Sequence, residues 1–203
     1  MRHKSRGLQA SRNHKNPLKY SEHGCGITTK IRKDCNVTMS KVYSLKTVQN
    51  LPVSLEKAWD FFSRPDNLKE ITPSNLGFHI ISKHQGDRMY AGQIIEYKVS
   101  PLLGIPLYWM TEITQVENLK YFIDEQRYGP YSLWHHQHHF KAIEGGVEMT
   151  DIVHYKVPFW FLGDIANVIL VKSELQKIFG FRFRKAEEVL GKWPGQQATV
   201  EFY

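Results

Sequence analysis

The segment Trp134–Phe140 reads WHHQHHF, with four imidazoles in seven residues. A β-strand turns alternate side chains to opposite faces. Trp134, His136, His138 and Phe140 therefore share one face, and His135, Gln137 and His139 the other. The next turn signal is Glu144-Gly145. A two- or four-residue loop there sets His138 opposite Asp151, His136 opposite Val153 and Trp134 opposite Tyr155. Loops of three or five residues break that parity. Three kinds of chemistry suit this set. His136 and His138 with Asp151 or Glu125 could ligate zinc or iron. His138 and Asp151 could act as a base and its orienting carboxylate, making His136, His138 and Asp151 the catalytic candidates. Otherwise the set is a satisfied polar group lining or bracing a cavity. The sequence shows no nucleophile and no third fixed ligand, which favours the last reading. No resident metal and no cofactor are expected, and His135 and His139 are read as solvated.

The elements that must position these residues are legible from periodicity. Val42–Asn50 alternates as a strand. Ser54 is an N-cap for a helix over Leu55–Ser63, whose Leu55, Ala58, Trp59 and Phe62 fall at helical spacing. Pro65 stops it, and Asp66–Ile71 forms a second short helix. Strands follow at Phe78–Lys83, Gln93–Ser100, Leu107–Val116, Tyr121–Tyr128, Ser132–Ala142 and Val147–Val157, joined by short turns, which implies an antiparallel meander. The chain ends in one long helix, about Leu162–Gly191. Ile165, Val168, Val171, Leu175, Ile178 and Phe179 form its apolar stripe, continued by Arg182, Ala186, Val189 and Leu190. The cluster Arg182, Arg184 and Lys185 is assigned to the wet face, its arginine stems packed on apolar surface. The expected class is α+β: a curved antiparallel sheet of about six to seven strands wrapped on a long C-terminal helix, with two short helices after the first strand. A curved sheet and a single helix do not fill the space between them, and an apolar cavity is the expected result.

The charge is uneven. Of 203 residues, 27 are Lys or Arg and 20 are Asp or Glu; nine basic and two acidic residues fall within 1–38. That segment carries the whole net charge of +7, and the rest is balanced. Residues 1–38 are read as a disordered basic extension, dispensable to folding, residues 39–195 as the domain, and 196–203 as a short tail. A balanced domain gives no support for specific nucleic-acid binding; peripheral membrane contact by the extension stays open. Both cysteines, Cys25 and Cys35, lie in the extension. Their absence from the domain fits a reducing compartment and a cytoplasmic location. No run reaches the roughly 20 apolar residues of a membrane span.

Several motifs add a resemblance. After the first strand comes Ala58-Trp59-Asp60-Phe61-Phe62-Ser63-Arg64-Pro65-Asp66-Asn67-Leu68. Further on come Asp124-Glu125-Gln126, Gly129-Pro130, Trp134-x-His136-x-His138-x-Phe140 and Asp151-x-x-x-Tyr155-x-x-Pro158. Over about Tyr43–Gly191 the chain resembles the SRPBCC superfamily, the START-like helix-grip fold shared with birch-pollen-allergen-like proteins, polyketide cyclases and coenzyme-Q-binding proteins. The motifs are similar to its bacterial ligand-binding branch. The resemblance implies a ligand site between the concave sheet and the last helix. If the register holds, Trp134, His136, His138, Asp151, Val153 and Tyr155 form its sheet wall, and Val168, Val171, Leu175 and Phe179 its helix wall. The function expected is a soluble carrier or sensor of a hydrophobic or amphipathic small molecule such as a lipid, quinone or polyketide. The alternative is an enzyme of cyclase, dehydratase or hydrolase type using His136, His138 and Asp151 in the same cavity. One fold hosts both.

Overall fold

Strict alternation dominates the computed structural model, which describes residues 41–83, 87–100, 104–158 and 164–203, with only the backbone of 164–169. The expected extension 1–38 with its two cysteines, the aromatics Phe159, Trp160 and Phe161, and the side chain of Val168 lie outside the described residues. In chain order come β1 (Tyr43–Leu51), α1 (Leu55–Phe62), 3-10 turns at Pro65–Lys69 and Ser74–Leu76, and β2 (His79–Ile80). Then follow β3 (Gln93–Val99), β4 (Leu107–Glu117), β5 (Tyr121–Tyr128), β6 (Leu133–Ile143), β7 (Gly146–Lys156), α2 (Asp164–Leu190) and β8 (Glu201–Phe202).

These strands form one antiparallel sheet ordered β2-β3-β4-β5-β6-β7-β1-β8. β7 buries every second side chain: Val147, Met149, Asp151, Val153 and Tyr155. Two register shifts in the β4–β5 pairing, at Met110/Thr111 and Ile113/Gln115, bend the sheet where the ladder is interrupted. The β6–β7 hairpin closes over the two residues Glu144 and Gly145, and Ile143 faces Gly146. Gly145 sits at φ +79°, where a side chain is strained. A Cβ on Gly146 would lie 2.1 Å from the Leu51 carbonyl oxygen, so only glycine fits there. This hairpin produces the even-loop register: His138 faces Asp151, His136 faces Val153 and Trp134 faces Tyr155.

The helices cover one sheet face and divide the core. Ala58, Trp59 and Phe62 of α1 pack with Phe122, Phe140, Val147 and Met149, and with Ala186 and Leu190 at the end of α2. A second cluster joins Leu45, Val153 and Tyr155 to Val171, Leu175 and Phe179 of α2. Ser54 caps α1, its hydroxyl accepting from the Lys57 N–H at 3.3 Å. Ser54→Ala should cost about 1 kcal/mol in chemical denaturation; an unchanged midpoint would show that the cap contributes nothing.

The structure departs from the sequence expectations at several places. The expected second helix Asp66–Ile71 is the 3-10 turn Pro65–Lys69. Pro65 opens it rather than closing α1, because a first-turn position needs no N–H. The strand expected over Phe78–Lys83 pairs only at His79–Ile80. The tail beyond 195 is built into the sheet. Glu201–Phe202 pairs with β1, Ser44 and Tyr203 exchange backbone hydrogen bonds of 3.0 Å, and the Gln196 amide bonds both backbone groups of Asn50. The two-residue β8 is too short to show a period, and it adds one strand to the seven read from the sequence. On α2, Val189 leaves the apolar stripe and is 39% exposed.

Candidate functional site

Three adjacent strands bring two histidines and two carboxylates together. Asp124 of β5 lies directly opposite His136 of β6, and His138 lies directly opposite Asp151 of β7. Diagonal neighbours on one sheet face remain within reach of long side chains, so each imidazole touches both carboxylates. His136 Nε2 is 3.2 Å from Asp151 Oδ1, and its Nδ1 is 3.5 Å from Asp124 Oδ2. His138 Nε2 is 2.9 Å from Asp124 Oδ2. Its Nδ1 is 2.7 Å from Asp151 Oδ1, close enough for an ion pair but without the alignment of a hydrogen bond. The imidazole rings stand 3.8 Å apart between centroids, and Phe122 stacks on His138 at 4.1 Å. His136, His138 and Asp151 are all buried.

A fifth group arrives from α2. Arg182 Nη2 is 4.0 Å from Asp151 Oδ1, and its guanidinium lies over the Phe179 ring at 5.7 Å. Arg182 was read both as a continuation of the apolar stripe and as part of a wet-face cluster. It follows Phe179 by three residues, which carries it to the inner side of the helix, as the stripe implies.

Burial pushes the Asp151 carboxyl up, but the charges of Arg182 and His138 and the hydrogen bond of His136 outweigh that and hold it well below the usual carboxylate range. The same contest, won by His136, His138 and Arg182, lowers Asp124. Burial would lower His138, yet Asp151 and Asp124 raise it above an ordinary histidine. Burial and the neighbouring charge on His138 push His136 down to about 4. Below the raised value of His138 and above that of His136 the cluster therefore holds two carboxylates, one imidazolium, one guanidinium and one neutral imidazole, and its charges cancel.

This cluster forms part of the wall of a cavity of about 150 Å³ between the sheet and α2. Of the residues expected to line it, Trp134, His136, His138, Leu175 and Phe179 do so. Asp151 does not line it and borders a separate void of about 10 Å³ with Thr47, Gln49 and Arg182. Val153, Tyr155 and Val171 pack in the second core cluster and do not line the cavity. Sequence reasoning missed Asp124 and Arg182, both cavity-lining, and the aromatic wall of Phe78, Tyr97, Trp109 and Tyr131. Trp109 stacks with Tyr97 at 5.9 Å and meets Trp134 edge-on at 5.5 Å. Alternation in Tyr121–Tyr128 was the available signal for Asp124: it puts Asp124 and Glu125 on opposite faces. Glu125, a sequence candidate for a metal ligand, points outward. It bonds His135 at 2.9 Å and Arg127 at 3.1 Å. His135 and His139 are accordingly held by neighbours on the outer face rather than simply solvated, His139 by the Gln137 amide oxygen at 2.9 Å.

Asp124, His136 and His138 could each offer one ligand atom to a metal ion, the three atoms lying within 4.8 Å of one another. Such an ion would displace the proton of His138 and sit near the cationic Arg182. The five-residue cluster already satisfies its charge without one.

No family model matches the sequence, and no curated protein matches it. Solved structures do. The ginseng major latex-like protein 151 from Panax ginseng is 14% identical, with a TM-score of 0.54 over 73% of this chain and 97% of that one. The protein Ara h 8.0201 is 14% identical, at 0.52 over 74% and 98%. Protein Ms6760 from Mycobacterium smegmatis is 14% identical, at 0.54 over 72% and 90%. The single antiparallel sheet, the two early helical segments and the long last helix agree with the α+β architecture expected from the sequence, and the chain has the helix-grip fold that it shares with these structures.

Proposed function

We propose that this protein binds a small hydrophobic molecule in the cavity between its sheet and α2, as a carrier or sensor. The observation that carries the reading is the cavity wall, mostly aromatic and aliphatic, with one compact charged patch at Asp124, His136, His138 and Arg182. Such a division suits a ligand with an apolar body and one polar group. At about 150 Å³ the cavity is smaller than most drug-sized sites. A cavity of this size takes a benzene-like ring. Among the lipids, quinones and polyketides suggested by the sequence, a single-ring quinone head is the best match in size. Among the described residues no helix is long and apolar enough to cross a membrane. A cytoplasmic location remains our reading of a domain without cysteine.

A second reading, a cyclase, dehydratase or hydrolase using His136, His138 and Asp151, is favoured by one observation. A charged imidazole and a neutral one stand side by side at a cavity wall, and such perturbed groups are common at active sites. Against it, Asp151 does not line the cavity.

Native mass spectrometry of the protein purified from its own host tests the binding reading. The expected spectrum shows an organic adduct the size of one ring system, lost under harsher activation. A protein that carries nothing, and whose tryptophan fluorescence no single-ring compound changes, would contradict it. A one-metal adduct absent from His136→Ala and His138→Ala would move the assignment to a metal centre.

A further inference from the structure

Arg182 is anomalous in its surroundings. A guanidinium carries five N–H donors, yet among the described residues Arg182 makes no side-chain hydrogen bond; its contact with Asp151 is at 4.0 Å. Leaving a buried charged donor unbonded is costly. Only 16% of the side chain is exposed, and Arg182 lines the cavity. Phe179 beneath it and Asp151 beside it fix where the guanidinium stands.

The charge of the ligand follows from the neighbours. Asp124 also lines the cavity, its side chain likewise 16% exposed. The two aspartates are already balanced by Arg182 and His138. A carboxylate entering beside them would be an uncompensated buried charge. A neutral oxygen acceptor meets no such penalty and can accept from the guanidinium.

Resting on the binding reading above, we infer that Arg182 is the ligand-orienting group of the cavity, and that the ligand is a neutral, ring-sized apolar molecule bearing a carbonyl-type oxygen. The aromatic wall of Tyr97, Trp109, Tyr131 and Trp134 receives the ring, and Arg182 donates to the oxygen.

Two isosteric probes separate the terms: acetophenone, and α-methylstyrene, in which a methylene replaces the carbonyl oxygen. Binding of each to the full chain is measured by tryptophan fluorescence and calorimetry, with benzoate as the anionic comparison. Arg182→Leu should weaken acetophenone by about tenfold or more, the range of a hydrogen bond to a charged group, and leave α-methylstyrene within about twofold. Arg182→Lys keeps the charge beside Asp151 but loses the planar fork; it should fold even if the leucine variant does not, and should weaken acetophenone selectively by several-fold. Benzoate should bind more weakly than acetophenone. Equal losses for both neutral probes, or none, would overturn the assignment of Arg182 while leaving the cavity reading intact. Benzoate as the tightest ligand would overturn the neutral class. Failure of all three probes to bind the wild type would instead remove the binding reading itself.

Discussion

Asp151→Asn should destabilise the protein by about 3–5 kcal/mol, the cost of removing one partner from a buried ionic network. The side chain keeps its shape but loses its charge. Arg182 then has no carboxylate within 4 Å among the described residues. His138 loses the nearer of its two carboxylates, at 2.7 Å, and must either stay charged against burial or give up its proton. Repacking cannot relieve this, because Asp151 sits in the middle of β7 between Met149 and Val153, which are themselves buried on the same face. Urea denaturation at neutral pH reads the effect as a lowered midpoint at unchanged slope. His135→Ala on the outer face is the control, with a loss of about 1 kcal/mol or less. A loss under about 1 kcal/mol for Asp151→Asn would show that the four charges are not coupled as the distances imply.

Stability should peak between pH 6 and 7 and fall on both sides, with different groups responsible for each side. His136 is held at about 4, below the ordinary value of 6.5. From about pH 6.5 down to 4 the unfolded chain takes up a proton that the native chain refuses. Stability therefore falls with pH over that window, by about 3 kcal/mol in total. Asp124 and Asp151 are lowered, so their contribution is present above the ordinary carboxylate value and is lost only as pH falls through their native values. His138 has the opposite sign. Its native value is raised, so its contribution is complete below about 6.5 and disappears as pH rises through the native value. His136→Gln should flatten the limb between about pH 6.5 and 4 and leave the alkaline limb in place. Denaturation midpoints at about pH 4.5, 5.5, 6.5 and 8 would check this. A wild type as stable at pH 4.5 as at 6.5 would mean that His136 is charged in the native state.

How much of this was legible beforehand differs between the fold and the site. Long alternating segments announced β3 to β7 within a residue or two, because a half-buried strand repeats every two residues and little else does. The same period put His136 and His138 on one face, while the loop at Glu144-Gly145 left two parities open; the two-residue hairpin that forms puts His138 opposite Asp151, since a hairpin's register follows from its turn. The helical stripe of α2 identified Leu175 and Phe179 as inward-facing. These are local facts of backbone geometry, and sequence carries them.

The rest depended on contacts between distant elements. Alternation alone placed Asp124 and Glu125 on opposite faces, but only the pairing of β5 with β6 showed which one meets the histidines. Arg182 had two sequence placements, since its spacing continues the apolar stripe while charge usually marks the wet side of a helix. It is inside because Asp151, 31 positions earlier in the chain, offers a countercharge across the core. The tail became a strand because β1 had a free edge, which no property of residues 196–203 reveals. Val153 and Tyr155 share the face of the site yet lie under α2 rather than beside the cavity. Sequence by itself determined the strands, the place of the turn and which residues share a face; packing decided which face turns inward, which charges meet and where the empty space is left, because these are set by groups brought together only when the sheet closes on the helix.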